Sequence, residues 1–336
     1  MAFFTEVAVE PRQGLVTHNY TLWTIGSCFA DEIGKQLENR LFNIRCNPCG
    51  TLYNPLSIAR TLHRIASGAT YCEADLFQHN GLWHSPDFHS KFSAPTPGEA
   101  LSKINTAITT LHAELSSLNL LMITLGSARA FISNDSRLPV ANCHKLPASH
   151  FTVRDVSVAE TVDTLSAALQ VLQQANPNLQ VLLTVSPIRH KAYGYHADRL
   201  SKATLLLAVE QLCRDFDAIY FPAYEIMNDE LRDYRFYAAD MIHPSTVAVE
   251  HIFRKFANAY FTPETAALAN DALRLTTRMQ HRVLNSADAS GGAFADATTA
   301  MARTLTATHP ELTVALGRFE ATTSNGTMHH CMVPGN

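Results

Sequence analysis

"TIGSCFADEIG", Thr24 to Gly34, is the stretch on which the reading of the whole chain turns. The apolar run Leu22–Ile25 stops on Gly26, the small residues Ser27 and Cys28 come next, and Phe29, Ile33 and Leu37 then repeat at the spacing of one helical face. A short apolar strand that gives way at once to a helix is the opening unit of an α/β sheet, and Gly26 permits the tight turn between them. Backbone N–H groups at the start of that helix point outward and the helix dipole favours negative charge, so an oxyanion forming beside Ser27 would be stabilised. Ser27 also suits a plain N-cap, and these residues alone leave both roles open. Cys28 competes as nucleophile, whereas its position on the helix turns the thiol toward packing, the usual setting of a buried cysteine.

Three further segments read as buried parallel strands: Leu120–Leu125, Val181–Val185 and Ala218–Phe221, with a weaker one at Phe42–Cys46. Between them run amphipathic stripes, one through Leu101, Ile104, Ile108, Leu111, Leu115 and Leu118, another through Val158, Val162, Leu165, Leu169 and Leu172. Strand alternating with helix predicts an open parallel sheet with right-handed crossovers. Two stretches break the rhythm. Residues 68–98, containing "WHSPDFHSKF", carry aromatics, His and Pro without a sustained period and read as a long loop laid over one end of the sheet. Residues 262–336 are Ala/Thr-rich, helical between Pro263 and Val283 by pattern, and end in the polar tail "TTSNGTMHHCMVPGN", expected to be partly disordered. The domain reading is therefore 1–261 for the α/β unit and 262–336 for a helical extension.

Composition narrows the partners. With 336 residues and 46% hydrophobic content the chain can bury a sizeable core, and a net charge of −4 with scattered Lys and Arg gives no reason to expect nucleic acid or an anionic membrane. The N-terminal "MAFFTEVAVEPRQG" lacks the charged-then-apolar pattern of an export signal, and no stretch reaches about 18 apolar residues. Seven cysteines without framework spacing fit reduced thiols, so a cytoplasmic location is expected. The Cys46-x-x-Cys49 pair lacks a matching second half, so no metal is called for.

Ligands of an open α/β sheet gather at the carboxyl ends of its strands. Those ends lead into Gly26–Ser27–Cys28, then Gly126–Ser127–Ala128–Arg129, then "SPIRH" (Ser186–His190), and beyond the last strand "YAADMIHPST" with Asp240 and His243. A serine needs a base at neutral pH, and a histidine oriented by a carboxylate is its commonest supplier. The Asp240-x-x-His243 spacing lets the carboxylate hold one ring nitrogen while the other faces the nucleophile.

"GSCFA" (Gly26–Ala30), "VANCHKLP" (Val140–Pro147), "SPIRH" and "DMIHPS" (Asp240–Ser245), in this order, resemble the blocks of the GSCFA family within the SGNH/GDSL hydrolase superfamily, over roughly residues 15–260. The resemblance implies a three-layer α/β/α, flavodoxin-like fold on a five-stranded parallel sheet, and an esterase-type site with Ser27 as nucleophile, His243 as general base and Asp240 as its orienter. It also exposes a departure. The superfamily's G-x-N-D pattern after the third strand supplies an oxyanion-binding Asn, where this chain has Ala128. Gly50 in "NPCGTLYNP" and Asn142, with His144 as a further candidate, are the expected replacements. Asn142 reads equally as a turn residue.

His84 and His89 suit either the mouth of the site or loop packing; His190 and Arg189 suit a polar or anionic part of a substrate, with an exposed ion pair as Arg189's alternative. Lys202 reads as a solvated helix residue, and Trp83, Phe88 and Phe92 as an aromatic rim fit for an acylated sugar. The expected protein is thus a serine esterase or deacylase of a small O-acylated substrate, needing no cofactor. An O-acyltransferase on the same triad and a silent ligand-binding module are the competing readings, and thiol chemistry at Cys28 is a third.

Overall fold

The computed structural model describes residues 5–281 and 289–324. Its order of elements is β1 (Thr21–Gly26), α1 (Cys28–Glu38), β2 (Ile44–Cys46), α2 (Pro55–Ser67), β3 (Phe77–His79), β4 (Leu82–His84), α3 (Pro97–Glu114), β5 (Leu118–Leu125), β6 (Arg129–Ser133), β7 (Pro139–Val140), β8 (Phe151–Asp155), α4 (Val158–Ala175), β9 (Gln180–Val185), α5 (Tyr195–Phe216), β10 (Ile219–Tyr220), α6 (Ala223–Glu225), α7 (Thr246–Tyr260), α8 (Pro263–Gln280), α9 (Ala289–Thr308) and α10 (Thr313–Ser324).

All five expected strands pair in parallel, in the spatial order β10-β9-β5-β1-β2. Alternate residues feed opposite faces, as the two-residue period of a strand requires. Leu22, Leu120, Met122 and Leu182 pack with Phe29, Ile33 and Leu37 of α1 and with Phe253 and Phe256 of α7. Trp23, Ile25, Leu121, Ile123 and Leu183 pack on the other face with Ile58 and Leu62 of α2, Ile104 and Ile108 of α3, Leu165 and Leu169 of α4 and Leu205 of α5. Both faces are covered, which is why these strands read as unbroken apolar runs. The result is a three-layer α/β/α fold of flavodoxin-like strand order.

The chain runs from β1 to β2 on one side and returns to β5 on the other, so a crevice opens where the carboxyl ends of β1 and β5 diverge. That switch point receives Gly26–Ser27–Cys28 and Gly126–Ser127. Helix starts are fixed by side chains: Ser27 caps α1, Asn54 with Pro55 behind it caps α2, Ser157 caps α4 and Ser245 caps α7.

Two regions depart from the sequence reading in detail. Residues 68–98 include the small antiparallel hairpin β3–β4 within the expected loop. The antiparallel sheet β7-β6-β8 was not anticipated; its strands are short and partly exposed, which weakens any periodic signal. Helices α8 to α10 gather around Leu41 in a separate apolar cluster with Leu268, Leu275, Leu312, Leu316 and Phe319. Thr276 Oγ1 donates to the Asn39 carbonyl at 2.6 Å and Arg318 to Asn43 Oδ1 at 2.8 Å, tying this extension to the end of α1 and the segment leading into β2. The expectation of a disordered tail falls, beyond Ser324, outside the described residues. No helix among the described residues is long and apolar enough to cross a membrane, and none of the described cysteines forms a disulfide.

Candidate active site

The turn after β1 is over-determined. Gly26 sits at φ 142°, and a Cβ built there would lie 2.1 Å from the Thr124 carbonyl oxygen of β5. Only glycine fits so close an approach. Ser27 N–H donates to that same carbonyl at 3.0 Å, and the buried Asn47 side chain accepts from Gly26 N–H at 2.8 Å while its amide reaches the Ser27 carbonyl at 3.4 Å. Across the crevice, Gly126 and Ser127 N–H both donate to the Tyr53 carbonyl at 2.9 Å.

This turn separates the two small residues. Ser27 is 1% exposed, and its hydroxyl accepts from Phe29 N–H at 3.3 Å as the cap of α1. The expected Ser27–His243 contact is therefore corrected: the N-cap role turns the hydroxyl back onto its own helix. Cys28, the first helical residue and half-buried, holds the position opposite the imidazole, with Sγ 3.7 Å from His243 Nε2. As its position on the helix implies, Cys28 also packs against the apolar cluster on this face of the sheet.

Asp240 and His243 lie as the D-x-x-H spacing implies. His243 Nδ1 and Asp240 Oδ2 are 2.6 Å apart, and Asp240 Oδ1 accepts from Ile242 N–H at 2.9 Å and His243 N–H at 3.0 Å. A carboxylate only accepts, so Nδ1 carries the proton and Nε2 presents a lone pair to the thiol. Burial disfavours the Asp240 charge, but these hydrogen bonds outweigh it and hold the carboxyl below its ordinary range. The imidazole is 34% exposed, so a substrate can reach it. "SPIRH" straps this loop: Arg189 N–H donates to the Ile242 carbonyl at 3.3 Å and its guanidinium to the Met241 carbonyl at 3.2 Å, while stacking over Tyr195 and Tyr237 at 4.6 and 5.3 Å. Among the described residues Arg189 makes no ion pair; its bonds go to this loop instead.

Each residue expected to bind an oxyanion takes part in a local hydrogen bond. Gly50 N–H is taken by the Asn47 carbonyl at 2.8 Å, its positive φ of 94° serving a turn packed against His89. Asn142 Oδ1 accepts from His144 N–H at 2.8 Å, the local turn bond of an Asx residue. His144 is buried, its Nε2 2.7 Å from the Ser85 carbonyl and its Nδ1 3.4 Å from Ser90 Oγ, and it stacks on His84 at 4.4 Å. Burial pushes His144 down to about 4, so it is a neutral structural ring. His89 is exposed, and its Nδ1 accepts from Lys91 N–H at 3.2 Å. His190 stacks on Tyr193 at 5.5 Å and meets the edge of Tyr53 at 5.9 Å, and its N–H donates to Asp198 Oδ1 at 3.1 Å. Burial, then the Lys202 charge, pushes this imidazole down to about 4. The expected aromatic rim is also displaced: Phe88 and Phe92 are core residues packed with Tyr71.

Three residues of this region were missed or misread. Asn47 and Tyr53 sit in "NPCGTLYNP", where Gly50 drew attention instead, and Lys202 is 1% exposed where a solvated residue was expected. Among the described residues no group of His, Cys, Asp and Glu is placed to hold a metal ion.

No curated protein matches the sequence. Among solved structures the chain is similar to a GDSL-like lipase from Parabacteroides merdae, at 14% identity and TM-score 0.37, covering 74% of this chain and 98% of that one. It is also similar to a carbohydrate esterase family 3 protein from Talaromyces cellulolyticus, at 10% identity and TM-score 0.35, covering 75% and 99%. Likenesses this distant say nothing about chemistry. The GSCFA family model matches residues 21–256, from the first strand of the sheet into α7, and with that span the chain belongs to the GSCFA family.

Proposed function

We propose that this protein is a hydrolase of ester bonds in a small O-acylated substrate, working through a Cys28–His243–Asp240 triad rather than through Ser27. The observation that carries the reading is the 3.7 Å approach of His243 Nε2 to Cys28 Sγ, with Asp240 on the other ring nitrogen. A thiol is intrinsically the stronger nucleophile at neutral pH, and the start of a helix favours its thiolate.

In the first half-reaction Cys28 gives its proton to His243 Nε2, and the thiolate attacks the ester carbonyl carbon to form a C–S bond. The negative charge moves to the carbonyl oxygen, facing the N-terminal backbone of α1. Collapse breaks the C–O bond to the leaving group, which takes the proton from Nε2 and departs as an alcohol. Water then attacks the thioester carbon while Nε2 accepts its proton, the C–S bond breaks, and the proton returns to the sulfur as the carboxylic acid leaves. Asp240 holds the tautomer throughout and stabilises the transient imidazolium. An alcohol in place of water would make the same steps an acyl transfer.

Turnover of an aryl acetate by Cys28→Ala and Ser27→Ala variants tests this. Cys28→Ala should lose about 10³-fold or more in kcat/KM. Ser27→Ala should keep most of it and lose about 1 kcal/mol of stability through the missing cap. The reverse pattern would restore serine as the nucleophile.

A further inference from the structure

The chemistry above leaves unused the buried amine of Lys202 on α5. Lys202 is among the largest fully buried side chains of the molecule, and among the described residues no carboxylate forms an ion pair with it. Its Nζ donates instead to the Gly126 carbonyl at 2.6 Å and the Ser186 carbonyl at 2.7 Å. Those are the first carbonyls beyond β5, which borders the crevice, and its neighbour β9. Neighbours on α5 complete the attachment: Ser201 Oγ accepts from Ala128 N–H at 2.7 Å, and Asp198 accepts from His190 N–H. Gly126 in turn lies directly against the nucleophile turn, since a Cβ on it would come within 3.1 Å of Ser27 Cβ. The cation is thus held one carbonyl away from the turn that presents Cys28.

We propose that Lys202 is a positioning residue whose ammonium, fixed beneath the loops after β5 and β9, supplies a standing positive charge that favours the Cys28 thiolate when its proton passes to His243. A buried lysine without a contacting carboxylate is costly, and nearby negative charge, from Asp198 first and then from a Cys28 thiolate, offsets part of that cost. Burial pushes the Lys202 amine down to about 8, while Asp198 and then a Cys28 thiolate pull it back up and Arg199 opposes them. The interaction is mutual, so the same charge must favour loss of the thiol proton. The groups facing the pair are Asp198, Arg199 and the Tyr224 ring around Lys202, with His190 beside it and His243 at the sulfur. This assignment rests on Cys28 being the reactive thiol, but its test does not read ester turnover, so the two can fail separately.

Alkylation of Cys28 by iodoacetamide, followed by mass spectrometry across pH, measures the thiolate directly. In Lys202→Gln, which keeps a neutral donor for the two carbonyls, the midpoint should rise by about one pH unit or more, slowing alkylation about tenfold below the midpoint. An unchanged midpoint in a folded variant overturns the proposal and leaves Lys202 as a brace alone. The reciprocal experiment needs no change at Lys202: in protein labelled with 13C-lysine, Cys28→Ala should lower the titration midpoint of one lysine. If no lysine midpoint moves, the coupling is refuted.

Discussion

Two loop regions of this molecule carry histidines, and they use them in opposite ways. In the layer formed by residues 68–98 and the "VANCHKLP" segment, both ring nitrogens of each buried histidine end on fixed protein groups. His84 has Ser93 Oγ at 2.6 Å and the His79 carbonyl at 3.1 Å; His144 has Ser90 Oγ and the Ser85 carbonyl. Such rings are braces between loops. His243 differs in one atom: a carboxylate holds Nδ1, but Nε2 meets a thiol and the ring remains partly open to solvent. Accounting for both nitrogens therefore separates an imidazole with one nitrogen facing a thiol from one held at both ends, where residue type and loop position do not.

The largest expected effect breaks this contrast directly. His243→Ala should remove about 10³-fold or more of the esterase turnover while leaving the thermal midpoint close to that of the parent. His144→Ala should do the opposite: it leaves the Ser85 carbonyl without its partner and opens a void against His84, lowering stability by about 2 kcal/mol with turnover per folded molecule retained. Calorimetry and ester kinetics on the two variants, side by side, check it. Equal losses of turnover would erase the distinction.

A smaller effect sharpens it through pH. His18, His144 and His190 are all pushed by burial down to about 4 in the folded protein. An unfolded histidine titrates near 6.5, so between roughly pH 6.5 and 4 the unfolded chain binds more protons. Their contribution to stability is fully present above about pH 6.5 and is lost as the pH falls toward 4. Denaturant midpoints measured across this window should fall with acid, and the slope should flatten in His144→Ala. The smallest effect is expected at Asn142: its Oδ1 closes a local turn onto His144 N–H, so Asn142→Ala should cost under about 1 kcal/mol, with kcat unchanged where its Nδ2 donates to no oxyanion. A large fall in kcat there would return Asn142 to the oxyanion site.

The central sheet was legible because β1, β5 and β9 are buried on both faces and so appear as apolar runs ending in small residues. The β6–β8 sheet was not, because a half-exposed strand of five residues carries little pattern. In the site, Asp240 and His243 were legible because three residues of chain fix their geometry. The neighbour that faces His243 was not legible, for a physical reason. An N-cap directs its side chain toward its own helix amides, while a Cβ in the first helical turn leans toward the N-terminal end, where the crevice lies. That logic favours Cys28 over Ser27, but it needs the helix start located to the residue. Lys202 was hidden because a buried lysine in an amphipathic helix looks like any surface one.

Acyl-enzyme trapping asks most directly which of the two neighbours reacts. The protein is mixed with an aryl acetate, quenched in acid, digested, and the peptide spanning Gly26–Ala30 is sequenced by mass spectrometry. Nucleophilic catalysis by Cys28 predicts acetyl on its sulfur, removed by neutral hydroxylamine as a thioester is. Acetyl on the Ser27 oxygen, resistant to that treatment, would contradict it.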